Sequence, residues 1–143
     1  MEARGTGVIG LRILVVESDG AIRELLIEFL RGLGQEATPV GNLRNALALL
    51  ERAQFDLMLV AHSLSEFSSL GLVANSLSSE GAGLALAKIA REDDPSLKII
   101  LLSGFAREGL NAVGANGFVD MTISKPFSLA DVEDALAVLY VRI

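Results

Sequence analysis

The feature that most constrains this chain is a repeated alternation of short aliphatic runs with stretches of helical periodicity. Residues 11–16 (LRILVV), 57–61 (LMLVA) and 98–102 (KIILL) are largely apolar and rich in aliphatic side chains, as strands buried on both faces are. A weaker strand signal lies at 36–40, and 118–123 (FVDMTI) reads as a fifth strand. After Ser18, Asp19 and Gly20 comes a helical stripe of Ile22, Leu25, Leu26, Phe29, Leu30 and Leu33, with Arg23, Glu24, Glu28 and Arg31 on the other face. Gly32 and Gly34 fit its C-terminal end. Asn42 is placed to cap a second helix running to about residue 53, with Leu43, Ala46, Leu47 and Leu50 as its stripe. A third helix over 83–92 is stopped by Asp93, Asp94 and Pro95. A short one near 107–113 and a last one from Leu129 complete the series, and Ser128 with Asp131 has the spacing of a capping box. Five β-then-α units with short connections and right-handed crossovers predict an α/β fold: a doubly wound (βα)5 three-layer sandwich around a five-stranded parallel sheet.

One stretch breaks the rhythm. Residues 62–82 (HSLSEFSSLGLVANSLSSEGA) mix serine and glycine with several large apolar side chains, a length and composition unusual for a loop inside a compact domain. The chain is therefore read as an N-terminal tail at 1–10 and one domain at 11–143, interrupted by an insertion at about 62–82. A total of 143 residues suits a single domain able to bury a substantial core. The formal charge of −6 gives an acidic surface that repels phosphate backbones, so nucleic acid is not an expected partner. Without cysteine there is neither a disulfide nor a thiolate metal site. The first ten residues lack the apolar core of a signal peptide, and no apolar run approaches the ~18 to 20 residues that span a bilayer. A cytoplasmic location without membrane contact is the expectation.

In doubly wound folds, ligands bind outside the C-terminal ends of the strands. That rule selects Glu17, Ser18 and Asp19, then Ala61 and His62, Ser103 and Gly104, and Ser124 and Lys125. The words at these positions are ILVVESD, FDLMLVA, IILLSG and SKPFSLADVEDAL. In this order they resemble the response-regulator receiver family, and the resemblance runs from about residue 12 to 139. It implies a flavodoxin-like fold and a signalling role of two-component type rather than an enzyme. It also implies Mg²⁺ held by two acidic residues after the first strand, and an Asp at the end of the third strand that accepts phosphate from a histidine kinase. A hydroxyl after the fourth strand and a Lys before Pro in the fifth meet the phosphoryl oxygens, because such transfers rest on positioning and on neutralising converging negative charge.

Mapped onto this sequence, Glu17 takes the first acidic position, Ser103 the hydroxyl, and Lys125 with Pro126 the lysine–proline pair. Ser18 stands where the second acid would be, and Ala61 where the phosphorylated Asp would be. Thr122 occupies the switch position, where the family carries an aromatic three residues before the lysine. Only Glu17 is left as a Mg²⁺ ligand, and no other cofactor is expected. The leading expectation is a degenerate receiver that binds protein partners without phosphorylation. Its partners would be a histidine kinase, a phosphotransferase or another regulator, or a second copy through the fifth strand and last helix. The alternative keeps a response to a phosphoryl donor or small anion near Lys125 and Ser103. Asp19 and Glu66 are the carboxylates that would have to substitute for the missing one. Lys125 is expected to pair with Glu17, and His62, the only histidine, to be a partly exposed loop residue. The GAG of residues 81–83 lacks the remainder of a dinucleotide loop. A flavodoxin-like enzyme finds no nucleophile–base pair here.

Overall fold

The aliphatic runs sort themselves by the period of two that a strand imposes. In a computed structural model describing residues 10–62, 64, 82–103 and 119–140, the strands are β1 (Arg12–Val16), β2 (Glu36–Val40), β3 (Leu57–Ala61), β4 (Lys98–Ser103) and β5 (Met121–Ser124). All neighbours are parallel, in the order β2-β1-β3-β4-β5. The described helices are α1 (Gly20–Gly32), α2 (Leu43–Arg52), α3 (Ala82–Asp93) and α4 (Leu129–Leu139). Leu14, Val16, Met58, Val60, Ile99 and Leu101 face α2 and α3, in one core cluster. Ile13, Val15, Leu57, Leu59, Ile100 and Leu102 face α1 and α4, in the other. Each such side chain removed from water contributes ~1.5 to 3 kcal/mol before entropy is counted. This is the predicted flavodoxin-like doubly wound sandwich.

Local signals fix the helix ends. Asp19 caps α1 by accepting from the Ala21 and Ile22 N–H groups, and Asn42 caps α2 through the Asn45 N–H. The Ser128–Asp131 capping box at α4 is complete. Gly34 follows α1 with φ +91°, the left-handed conformation that lets its N–H reach Arg31 and the Gln35 N–H reach Leu30.

Three expectations need correction. Leu25 is 49% exposed and Ile27 is buried in its stead, because the inward face of α1 centres on Leu26 and Leu30. The fifth strand, expected over 118–123, is observed at Met121–Ser124, with Val119 and Asp120 outside it. Asp120 stands just before it, its carboxylate accepting the Ile99 N–H at 2.8 Å while its own N–H donates to the Ile99 carbonyl at 2.8 Å. His62 is buried, not partly exposed: its N–H donates to the Leu102 carbonyl at 2.7 Å and its carbonyl accepts from Gly83 at 2.9 Å. Most of the 62–82 stretch, including Glu66, and the helix expected near 107–113 lie outside the described residues.

The N-terminal edge of the sheet is tied by polar groups. The Asp56 carboxylate accepts the Arg12 N–H at 2.8 Å, and its backbone carbonyl accepts from Lys98 and from the Tyr140 hydroxyl. Asp120 also pairs with Arg91 of α3. At the β2 edge, the Glu36 N–H and the Val40 carbonyl bond towards the β1 side. Ala37 and Pro39 therefore turn their backbone groups outward. Pro39 has no N–H to offer there, and Arg31 Nη2 caps the Ala37 carbonyl at 2.9 Å. No helix among the described residues is long and apolar enough to cross a membrane.

Candidate functional site

Parallel pairing brings the C-terminal ends of β1, β3, β4 and β5 onto one edge. Glu17 follows directly on β1, and its N–H donates to the Val40 carbonyl, which carries the chain to the edge before it turns into α1. Its side chain is only 4% exposed, so the carboxylate needs partners. Oε1 accepts from Lys125 Nζ at 3.1 Å and Oε2 from the Asp19 N–H at 3.0 Å. The ion pair joins positions far apart in sequence and spans the edge from β1 to the end of β5. Lys125 is brought there by its own backbone, whose N–H donates to the Ser103 carbonyl at 2.6 Å. The Lys125–Pro126 peptide bond is cis.

Ser103 ends β4, buried, in register with Ser124 of β5. Ala61 ends β3 with no exposed surface, in register with Leu102. The first turn of α3 lies directly on that strand end. A Cβ added to Gly83 would stand 1.8 Å from the Ala61 carbonyl oxygen and 2.9 Å from His62 Cα, so only glycine permits this approach. Thr122 is exposed on β5, paired with Leu101, and takes no part in the Glu17 cluster. The structure thus brings Glu17 and Lys125 into contact, with Ser103 joined through the Lys125 backbone and Ala61 on the neighbouring strand end. Ser18 is half-buried, its carbonyl turned to Arg23.

Two residues at this edge are not among the sequence-derived candidates. Arg23 Nη1 donates to the Glu17 carbonyl at 2.7 Å and reaches the Ser18 carbonyl at 3.4 Å, clamping the β1–α1 turn. Its guanidinium lies where a side chain on Gly41 would stand, 3.0 Å from that position's Cβ. Periodicity alone assigns Arg23 to the solvent face, and only the proximity of a helix start to a strand end would have suggested otherwise. Gly83 was visible merely as part of a failed dinucleotide loop. Its signal was a glycine in the first turn of a helix, where propensity disfavours it.

Mg²⁺ requires several oxygen ligands in near-octahedral array. Here both Glu17 oxygens are engaged, Asp19 Oδ1 caps α1, and Ala61 offers a methyl group. Among the described residues, no group of three His, Cys, Asp or Glu is arranged to hold a metal ion. The described residues do not fit the metal.

The strand order and the ligand-edge geometry match one class of protein, and the sequence identity reported next places the chain in it: the chain belongs to the response-regulator receiver (CheY-like) family, a non-enzymatic module of two-component signalling. The response regulator receiver protein CpdR of Brucella abortus (strain 2308) is 32% identical over 120 residues, covering 84% of this chain and 88% of that protein. A probable transcriptional regulatory protein of Picosynechococcus sp. is 28% identical over 120 residues, but the match covers only 45% of its length. Among solved structures, the response regulator TrrA of Thermotoga maritima, in complex with Mg²⁺ and BeF, superposes with a TM-score of 0.72 at 26% identity, covering 90% of this chain and 98% of that one. A CheY-like receiver domain from Methylobacillus flagellatus gives 0.70, also at 26% identity, covering 91% and 98%. No family model matches the sequence.

Proposed function

We propose that this receiver domain signals through protein–protein contact, without phosphorylation at the family's usual position. The observation that carries the reading is the end of β3, where Ala61 presents only a methyl group beneath the first turn of α3. Phosphoryl transfer needs a nucleophile with a free electron pair and a counter-charge for the converging anions. A methyl group supplies no nucleophile, and the Lys125 ammonium is already bound to Glu17. Ser18 in place of a second acid, and Thr122 in place of a switch aromatic, agree with a module relieved of that chemistry. An anion entering near Lys125 and Ser103 would first have to break the pair with Glu17, so contact with a protein is the better-supported role. The expected partner is another two-component protein: a histidine kinase, a phosphotransferase or a regulator. Its docking surface would be β5 and α4, which would also join two copies in a homodimer.

The test is an NMR titration with Mg²⁺ and then beryllofluoride, the ligands TrrA holds in its solved structure. Resonances of Glu17, Ser103 and Lys125 are expected to stay in place. Saturable shifts at these residues would show that another carboxylate completes the site, and the reading would fall.

A further inference from the structure

At the opposite end of the sheet from Ala61, a cleft of about 450 Å³ opens between the C-terminal halves of α2 and α3. Leu47, Leu50, Ile89 and Leu97 form its apolar walls. Ile89 is 43% exposed there, a large branched side chain left in water on a helix whose other apolar residues are mostly covered. The rim is charged, and lopsidedly so: Glu51, Asp93 and Asp94 stand against Arg52 alone.

The helices deepen that imbalance. α2 ends at Arg52 and α3 at Asp93, so both helices bring the negative ends of their dipoles to the same cleft. A carboxylate at a helix C-terminus is locally unfavourable, yet Asp93 and Asp94 stand side by side at one. Arg91, the basic residue of the last turn of α3, pairs with Asp120 instead. Asp94 is fixed by the Ser96 N–H and hydroxyl, so its carboxylate keeps its place on the rim. The cleft therefore combines an apolar patch around Ile89 with a rim on which three carboxylates face Arg52, while Arg12 lies over the lining Phe55 at 5.6 Å.

We propose that this cleft docks a basic amphipathic helix of a partner protein. Leucine-like side chains would seat on Leu47, Leu50 and Ile89, and lysine or arginine would meet Glu51, Asp93 and Asp94. A helix fits and an added strand does not, because β3 and β4, the strands nearest the cleft, are paired on both sides. The site is separate from the Ala61 edge and from the β5–α4 surface, so it stands independently of whether the domain is phosphorylated.

A synthetic amphipathic helix made only of leucine and lysine, titrated into the isotopically labelled full chain, tests this. Saturable NMR shifts are expected at Leu47, Leu50, Ile89 and Asp93, and a leucine–glutamate helix should produce none. The exposed substitutions Ile89→Ser and Glu51→Lys/Asp93→Lys should each weaken binding at least tenfold. Glu133→Lys/Asp134→Lys on α4, which changes the net charge equally, should leave it unchanged. Equal loss with the α4 variant, shifts centred on α4, or no saturable binding would overturn the proposal.

Discussion

The two ends of the sheet are built on opposite plans. At the N-terminal end, Asp56 and Asp120 are woven into the ladder: each joins neighbouring strands through side chain and backbone together, and Arg91 and Tyr140 tie α3 and the end of α4 to them. At the C-terminal end, where the receiver family places its chemistry, a buried ion pair, the Arg23 clamp and main-chain bonds join the described residues, and α3 packs on a methyl-bearing strand end. At the N-terminal end the carboxylates hold strands together. Where they would serve a ligand, Glu17 is neutralised from within and its neighbours are Ser18 and Ala61.

Four predictions sharpen that contrast. The largest effect should come from Gly83→Ala. Alanine ordinarily gains ~0.5 to 1 kcal/mol over glycine inside a helix, but here its Cβ would meet a backbone oxygen that no side-chain rotation can clear. A net loss of about 3 kcal/mol is expected from denaturant unfolding. Gly32→Ala, which faces open space, should be neutral or slightly stabilising. If both are tolerated alike, the ligand edge is looser than described.

Next is Lys125→Met, which leaves the buried Glu17 carboxylate without its cation and should cost about 2 kcal/mol, less than a fully buried pair because Lys125 is 30% exposed. Adding Glu17→Gln should recover most of that loss, and a double-mutant cycle would measure the coupling. A coupling near zero would mean that the edge is held by packing alone. Asp120→Asn should cost somewhat less, about 1.5 kcal/mol, since the Ile99 N–H keeps an acceptor while Arg91 loses its counter-charge.

The smallest effect is a pH dependence at the N-terminal end. The Tyr140 phenol is pushed up to about 12, first by burial and then by the nearby Asp56 and Asp120 carboxylates. The unfolded phenol releases its proton near the usual ~10. The raised value therefore contributes stability that is fully present below that point and is lost as pH rises towards the folded value. Tyr140 is the only tyrosine and there is no tryptophan, so near-ultraviolet absorbance reads its ionisation alone. Its midpoint should lie well above that of the denatured chain, and Tyr140→Phe should flatten the alkaline decline in stability. A midpoint at the ordinary value would remove Tyr140 from the polar seam.

Much of this was legible from the residues. The aliphatic runs placed β1, β3 and β4 within a residue of their observed bounds, because strands covered on both faces admit no polar interruption. Asn42 and the Ser128–Asp131 pair announced their caps, since capping is a local interaction. The pairing of Glu17 with Lys125 followed from topology once the strand ends were aligned. What sequence did not reveal depended on contacts between distant elements. Ile27 displaced Leu25 through a modest rotation of the helix face against the sheet. His62 is buried because β4 and α3 close over its backbone, which residue type does not disclose. The roles of Arg23 and Gly83 rest on close approaches to the main chain, which leave almost no imprint on periodicity.

The β2 edge bears on how copies of this chain can assemble. A sheet that lengthens by edge-to-edge addition needs two open sides, one to receive each newcomer and one to offer the next. Here Pro39 and the Arg31 cap shut one side, so among the described strands β5 is the one left to accept a neighbour. Two copies meeting there would use up each other's open edge, and growth would terminate at a closed pair rather than run on into a filament.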